Sequence, residues 1–94
     1  ASKCTGTMKN RVVYNPKTNK VAVRVSNIEN CAGKDIEIRE GDCYGSLVCH
    51  FVYGSMGGSC EFNAPKKAGV YSYNICSDLN DDGKNEYKKF YVSI

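Results

Sequence analysis

A chain of 94 residues is long enough for one domain with a single modest core and too short for two. Its 13 Lys and Arg stand against 10 Asp and Glu, a net charge of +3, and the charges are interleaved rather than blocked, which excludes the basic stripe of a nucleic-acid binder. Six cysteines with one histidine and no Cys-x-x-Cys pair exclude an ordinary zinc site and point to disulfides in an oxidising compartment.

Elements predicted along the chain are all strands. The first is a short apolar piece, Val12-Val13-Tyr14, which reads as a terminal strand able to add to a neighbour's open sheet edge. After the Asn15-Pro16 turn, Val21, Val23 and Val25 alternate with Ala22, Arg24 and Ser26, the pattern of a half-buried strand. Ile36 and Ile38 alternate with Asp35, Glu37 and Arg39 in the same way. Leu47 to Tyr53 is a fuller apolar run, as expected of a central strand. Val70 to Cys76 places Tyr71, Tyr73 and Ile75 on one face, and the last strand places Phe90, Val92 and Ile94 on one face with Lys89, Tyr91 and Ser93 on the other. Turn signals fall at Ala32-Gly33, Glu40-Gly41, Gly54 to Gly58 and an Asp-rich stretch. Strands at this spacing describe an antiparallel sandwich of about seven strands or a small barrel, occupying residues 1–94 as one domain.

Cys4, Cys31, Cys43, Cys49, Cys60 and Cys76 are expected to form three disulfides. Spacing leaves the connectivity open, apart from one local expectation: Cys43 with Cys49, closing a hairpin that contains Gly45. The sequence shows no leader segment and no apolar run of membrane-spanning length, so Ala1 reads as a mature N-terminus after cleavage.

Ala64-Pro65-Lys66-Lys67-Ala68-Gly69-Val70-Tyr71-Ser72-Tyr73 resembles the turn and penultimate strand of immunoglobulin-like sandwiches, where a tyrosine pins the corner through its hydroxyl. Cys31-Ala32-Gly33-Lys34, Ile38-Arg39-Glu40, Cys43-Tyr44-Gly45, Ser59-Cys60-Glu61-Phe62 and the stretch from Asp78 extend the resemblance to secreted bacterial and archaeal Ig-like modules. The chain departs from antibody-type domains in having no tryptophan and in placing Tyr73 where the second core cysteine would stand. A core disulfide between the second and sixth strands is therefore not carried over.

Asp78-Leu79-Asn80-Asp81-Asp82-Gly83-Lys84-Asn85-Glu86 is the stretch whose chemistry is most readable. Asp78, Asn80 and Asp82 supply side-chain oxygens, Lys84 a backbone carbonyl and Glu86 a carboxylate, the hard donor set that Ca²⁺ takes, while Gly83 allows the sharp turn. Lys89 occupies the place of the closing glutamate of an EF-hand, and no helix flanks the loop, so the pattern resembles instead the Asp-x-Asn-x-Asp-Gly loops that join strands in calcium-binding propeller and surface-adhesin repeats. The competing reading is a solvated hairpin turn. Four acids within nine residues repel one another, which favours the ion.

His50, between Cys49 and Phe51, has the sequence context of a surface or packed histidine, and Glu37, Glu40 and Glu61 have basic neighbours, so no catalytic pair is expected. Seven tyrosines read first as ordinary cross-strand pairs, with a carbohydrate-binding face or a subunit contact as the alternative; Tyr71 and Tyr73 are expected in the core, Tyr44, Tyr53, Tyr87 and Tyr91 exposed, and Tyr87 and Tyr91 flank Lys89. The expectation is a secreted or surface-displayed, calcium-binding structural module that assembles with copies of itself or other surface proteins by strand addition through its terminal strands, with Tyr87 to Ile94 the one best placed to meet a neighbour. The alternative is a secreted disulfide-rich binding protein such as a toxin, effector or inhibitor, for which Gly54-Ser55-Met56-Gly57-Gly58 is the candidate loop.

Overall fold

A computed structural model describes residues 4–80, 82–84 and 86–94. The mature N-terminus expected at Ala1, and Asp81 of the acidic stretch, lie outside the described residues. Seven strands form: β1 (Lys9–Asn15), β2 (Lys20–Ser26), β3 (Asp35–Glu40), β4 (Leu47–Val52), β5 (Gly58–Asn63), β6 (Val70–Ser77) and β7 (Glu86–Ser93). All pairings are antiparallel, in a three-stranded sheet ordered β1-β2-β5 and a four-stranded sheet ordered β4-β3-β6-β7. Among the described residues no helix is long and apolar enough to cross a membrane.

Period-two alternation decides which faces meet. Val21, Val23 and Val25 of β2, Ile36 and Ile38 of β3, and Ile75 of β6 are completely buried between the sheets. At the centre Tyr73 lies between Phe62 of β5 and Phe90 of β7, with ring centroids 4.9 and 5.6 Å away. Offset aromatic contacts of this kind add to the burial of their area.

Leu47 to Tyr53 is corrected from central to edge. β4 pairs only with β3, and Leu47 and Val52 remain 44 % and 65 % exposed. Its apolar residues are covered on one side alone, by β5, to which Cys49 is tied through Cys60. β5 was not legible as a strand, since Phe62 is the one large apolar side chain in Gly58–Asn63.

Three disulfides join Cys4 to Cys31, Cys43 to Cys76, and Cys49 to Cys60, leaving no free cysteine. The expected Cys43–Cys49 pairing is wrong for a reason of faces. Cys49 opposes the buried Ile38 and so points between the sheets, whereas Cys76 opposes Glu37 on the outer face. The β3–β4 loop folds back over that outer face, so Cys43 meets Cys76. Gly45 makes this possible: a Cβ there would stand 1.8 Å from the Glu40 carbonyl oxygen. Three disulfides across so small a core belong to a non-reducing environment.

Tyr53, expected at the surface, is 2 % exposed, and its hydroxyl accepts the Ile28 N–H at 3.0 Å. Tyr71 donates its hydroxyl to the Lys67 carbonyl at 2.6 Å, pinning the turn before β6. Tyr44, Tyr87 and Tyr91 are exposed as expected. The turn at Gly54–Gly57 is closed by two reciprocal backbone hydrogen bonds of 3.1 Å, more constrained than its glycine content suggests.

Candidate metal centre

The acidic stretch is the hairpin connection between β6 and β7, which begins beyond the Ser77–Glu86 pair. Gly83 adopts φ +80°, the left-handed conformation that turns the chain back toward β7. Below the loop, the Leu79 carbonyl accepts the Cys4 N–H at 2.8 Å, and Cys4 is fixed by its disulfide to Cys31. Leu79 also packs against the core, so the base of the loop is held at two points.

From that base the carboxylates turn inward onto backbone amides. Asp78 Oδ1 accepts the Asp82 N–H at 3.1 Å and Oδ2 accepts the Gly83 N–H at 2.8 Å. Asp82 Oδ1 accepts the Lys84 N–H at 2.8 Å, and Glu86 Oε2 accepts the Leu79 N–H at 2.7 Å. Each carboxylate has about four acceptor positions, so these bonds orient the groups without exhausting them.

The result is a convergence of negative charge. One oxygen each from Asp78, Asp82 and Glu86 lies within 4.8 Å of the others. Ca²⁺ holds its oxygens at about 2.3–2.6 Å, so ligands on opposite sides of one ion are separated by about twice that distance. A spacing of this size is of the order that a single ion requires. Burial pushes the Asp78 carboxyl upward, but the amides of Gly83 and Asp82 and the Lys34 ammonium outweigh it and hold the group below its ordinary range. Lys34 gave no signal in the sequence, because its influence arises only when the β2–β3 connection is brought beside the loop.

Asn80 is set apart from the carboxylates. Its Oδ1 is screened from solvent and has no hydrogen-bond partner among the described residues. A solvated turn of the ordinary Asx type accounts for the carboxylate–amide bonds, but it leaves this acceptor orphaned at a cost of about 1–3 kcal/mol. Lys84 follows in the loop with its N–H engaged as described.

The other residues weighed from the sequence are dispersed. His50 is exposed, with Nδ1 at 3.1 Å from Asp35 Oδ1. Glu37 pairs with Arg39 at 3.1 Å, and Glu61 with Lys20 at 3.6 Å. Glu37 and His50 are opposite in the β3–β4 ladder but engage Arg39 and Asp35 respectively, and Glu61 lies in the other sheet. No protein-family model matches this chain, and neither a curated protein nor a solved structure matches it significantly.

Proposed function

We propose that this protein is a secreted or surface-displayed Ig-like structural module that binds Ca²⁺ through Asp78, Asn80, Asp82, the Lys84 carbonyl and Glu86, and that assembles with copies of itself. The observation that carries the calcium reading is the screened, unpartnered Asn80 Oδ1 in the loop where three carboxylate oxygens converge within 4.8 Å. The Ig-like reading is supported by the Tyr71–Lys67 bond, two residues before Tyr73, where immunoglobulin-like domains place their corner tyrosine. It is supported also by the strand order, with β4 beside β3 where variable-type domains carry an additional strand.

Two strands have unpaired edges on the side away from β4 and β5. On β7, Lys88 shares the core-facing side with Phe90 and Val92 yet is exposed, and an inward-pointing charge of this kind discourages strand addition. On β1 the corresponding positions are the half-buried Asn10, Val12 and Tyr14, and Val13 is exposed on the other face. Assembly by strand addition is therefore assigned to β1. The segment leading into β1 starts from Cys4, whose N–H the loop's Leu79 carbonyl holds, so the ion stiffens the approach to the assembling edge.

Sedimentation at high protein concentration, in calcium and in chelator, tests this reading beside a calorimetric calcium titration. Expected are stoichiometric calcium binding and larger species in calcium alone. A monomer under both conditions would remove assembly, and a flat titration would remove the ion. A second reading, a secreted disulfide-rich binding protein, is favoured by one specific feature, a groove on the outer face of the four-stranded sheet.

A further inference from the structure

The β3–β4 loop and the β6–β7 loop rise on either side of the outer face of the four-stranded sheet and leave a groove of about 690 Å³ between them. One wall is Asp42 and Tyr44, the other is Lys84, and the floor is Asn74 of β6 with Tyr87 and Lys89 of β7. Lys89 is directly opposite Asn74 in the β6–β7 ladder, and Tyr87 is opposite Cys76, whose disulfide to Cys43 fixes the first wall to the floor. The groove is thus held by covalent and ladder contacts rather than by loop packing alone.

Its lining has a definite chemistry. Tyr44 and Tyr87 are 98 % and 72 % exposed, two aromatic rings turned to solvent at the groove, where their burial against a partner would return the area they now expose. Asn74 is only 2 % exposed; its Nδ2 donates to the Gly41 carbonyl, while its Oδ1 has no hydrogen-bond partner among the described residues. That acceptor lies beneath the groove floor, and a ligand hydroxyl reaches it only if the Asn74 side chain moves. Asp42 offers a further acceptor, its Oδ1 taking the Tyr44 N–H at 2.9 Å and leaving lone pairs for a ligand. Lys84 and Lys89 give the lining two cations against one carboxylate.

The geometry points to a saccharide site, and to an acidic saccharide: sugar rings against Tyr44 and Tyr87, hydroxyls on Asn74 and Asp42, and a carboxylate between Lys84 and Lys89. Faces of tyrosine suit the C–H faces of pyranose rings, and a few placed polar groups fix their orientation. This inference rests on the calcium reading in one respect. Asp82 lies two residues from Lys84, and the loop's uncompensated carboxylates repel an anionic ligand. Calcium offsets them, so the ion and the acidic saccharide bind with positive, reciprocal coupling.

The test is calorimetric titration of the intact chain with a hyaluronan hexasaccharide and with the neutral maltohexaose, in calcium and in chelator. Expected is binding of the acidic oligomer that exceeds that of the neutral one and strengthens in calcium. Tyr87→Ala is expected to weaken it by roughly tenfold or more, as loss of a central aromatic contact does. The variant Lys89→Gln is expected to weaken the preference for the acidic oligomer. Both variants should keep the calcium affinity and unfolding midpoint of the unsubstituted protein, which separates a groove defect from misfolding. Absence of binding, equal binding of both oligomers, or indifference to Tyr87→Ala with an intact fold would overturn the proposal. Equal binding of the acidic oligomer in calcium and chelator supports the groove and counts against the calcium reading.

Discussion

Glu86→Gln separates a metal loop from a solvated turn, because it keeps the shape of the side chain and removes its charge. Glu86 Oε2 accepts the Leu79 N–H at 2.7 Å, and a glutamine carbonyl accepts the same bond. The substitution therefore spares the hairpin and removes one of three carboxylates that approach within 4.8 Å. Extracellular calcium modules bind with dissociation constants on the order of 10⁻⁴–10⁻³ M, so about 10 mM calcium stabilises the folded state by about 1.4–2.7 kcal/mol. Unfolding entropy of about 0.2 kcal/mol/K for a chain of this length converts that into a rise of about 7–14 °C in the unfolding midpoint. For Glu86→Gln, most of this rise should vanish. In chelator the variant should melt at the same temperature as the unsubstituted protein or slightly above it, because a like-charge contact has been relieved. The assay is thermal unfolding by circular dichroism for both proteins in calcium and in chelator. Midpoints of the unsubstituted protein that do not move between calcium and chelator would refute the metal loop. A variant that melts lower by the same amount in both conditions would show that Glu86 acts through its hydrogen bond alone.

In chelator, stability should depend on pH through Asp78. Its carboxyl is held below its ordinary range in the folded state, so its contribution is complete above the unfolded-state value and is lost as the pH falls through the folded one. Urea unfolding across the acid range should show a shallower acid decline for Asp78→Asn. Tyr71→Phe deletes the 2.6 Å bond to the Lys67 carbonyl and should cost about 1 kcal/mol in urea unfolding, with no change in calcium affinity. Among the disulfides, Cys49–Cys60 closes a separation of 11 residues and Cys43–Cys76 one of 33. Paired serine substitutions should cost about 3 and about 4 kcal/mol by loop-closure entropy. The reverse order would mean that strain or unfolded-state structure dominates.

How far this fold can be read from its sequence follows from how each strand is buried. β2, β3 and the end of β7 alternate because one face of each meets the core, and the alternation is written in Val21, Val23 and Val25 or in Phe90 and Val92. β4 misleads because its apolar content reflects cover from β5 and a disulfide, and not a place inside the sheet. β5 is nearly silent, since glycine, serine and a half-buried cysteine occupy positions that a larger side chain would announce. Disulfide partners depend on which face each cysteine takes, and Cys43 lies in a loop, where period two has nothing to say. The acidic loop was legible in its donors and invisible in its surroundings: Lys34 and the Cys4 N–H reach it only through the tertiary fold.

Those surroundings give the loop more consequence than a local ion site would have. On one side its base holds Cys4, and through it the approach to the exposed edge of β1. On the other, Gly83 and Lys84 form a wall of the groove over Tyr87 and Lys89. The ion proposed above would therefore act on an edge and on a face that share no side chain. The two effects are separable, since Tyr87→Ala touches the face alone and a charge at Val13 touches the edge alone. Under that proposal, chelation is the one perturbation expected to weaken assembly and saccharide binding together.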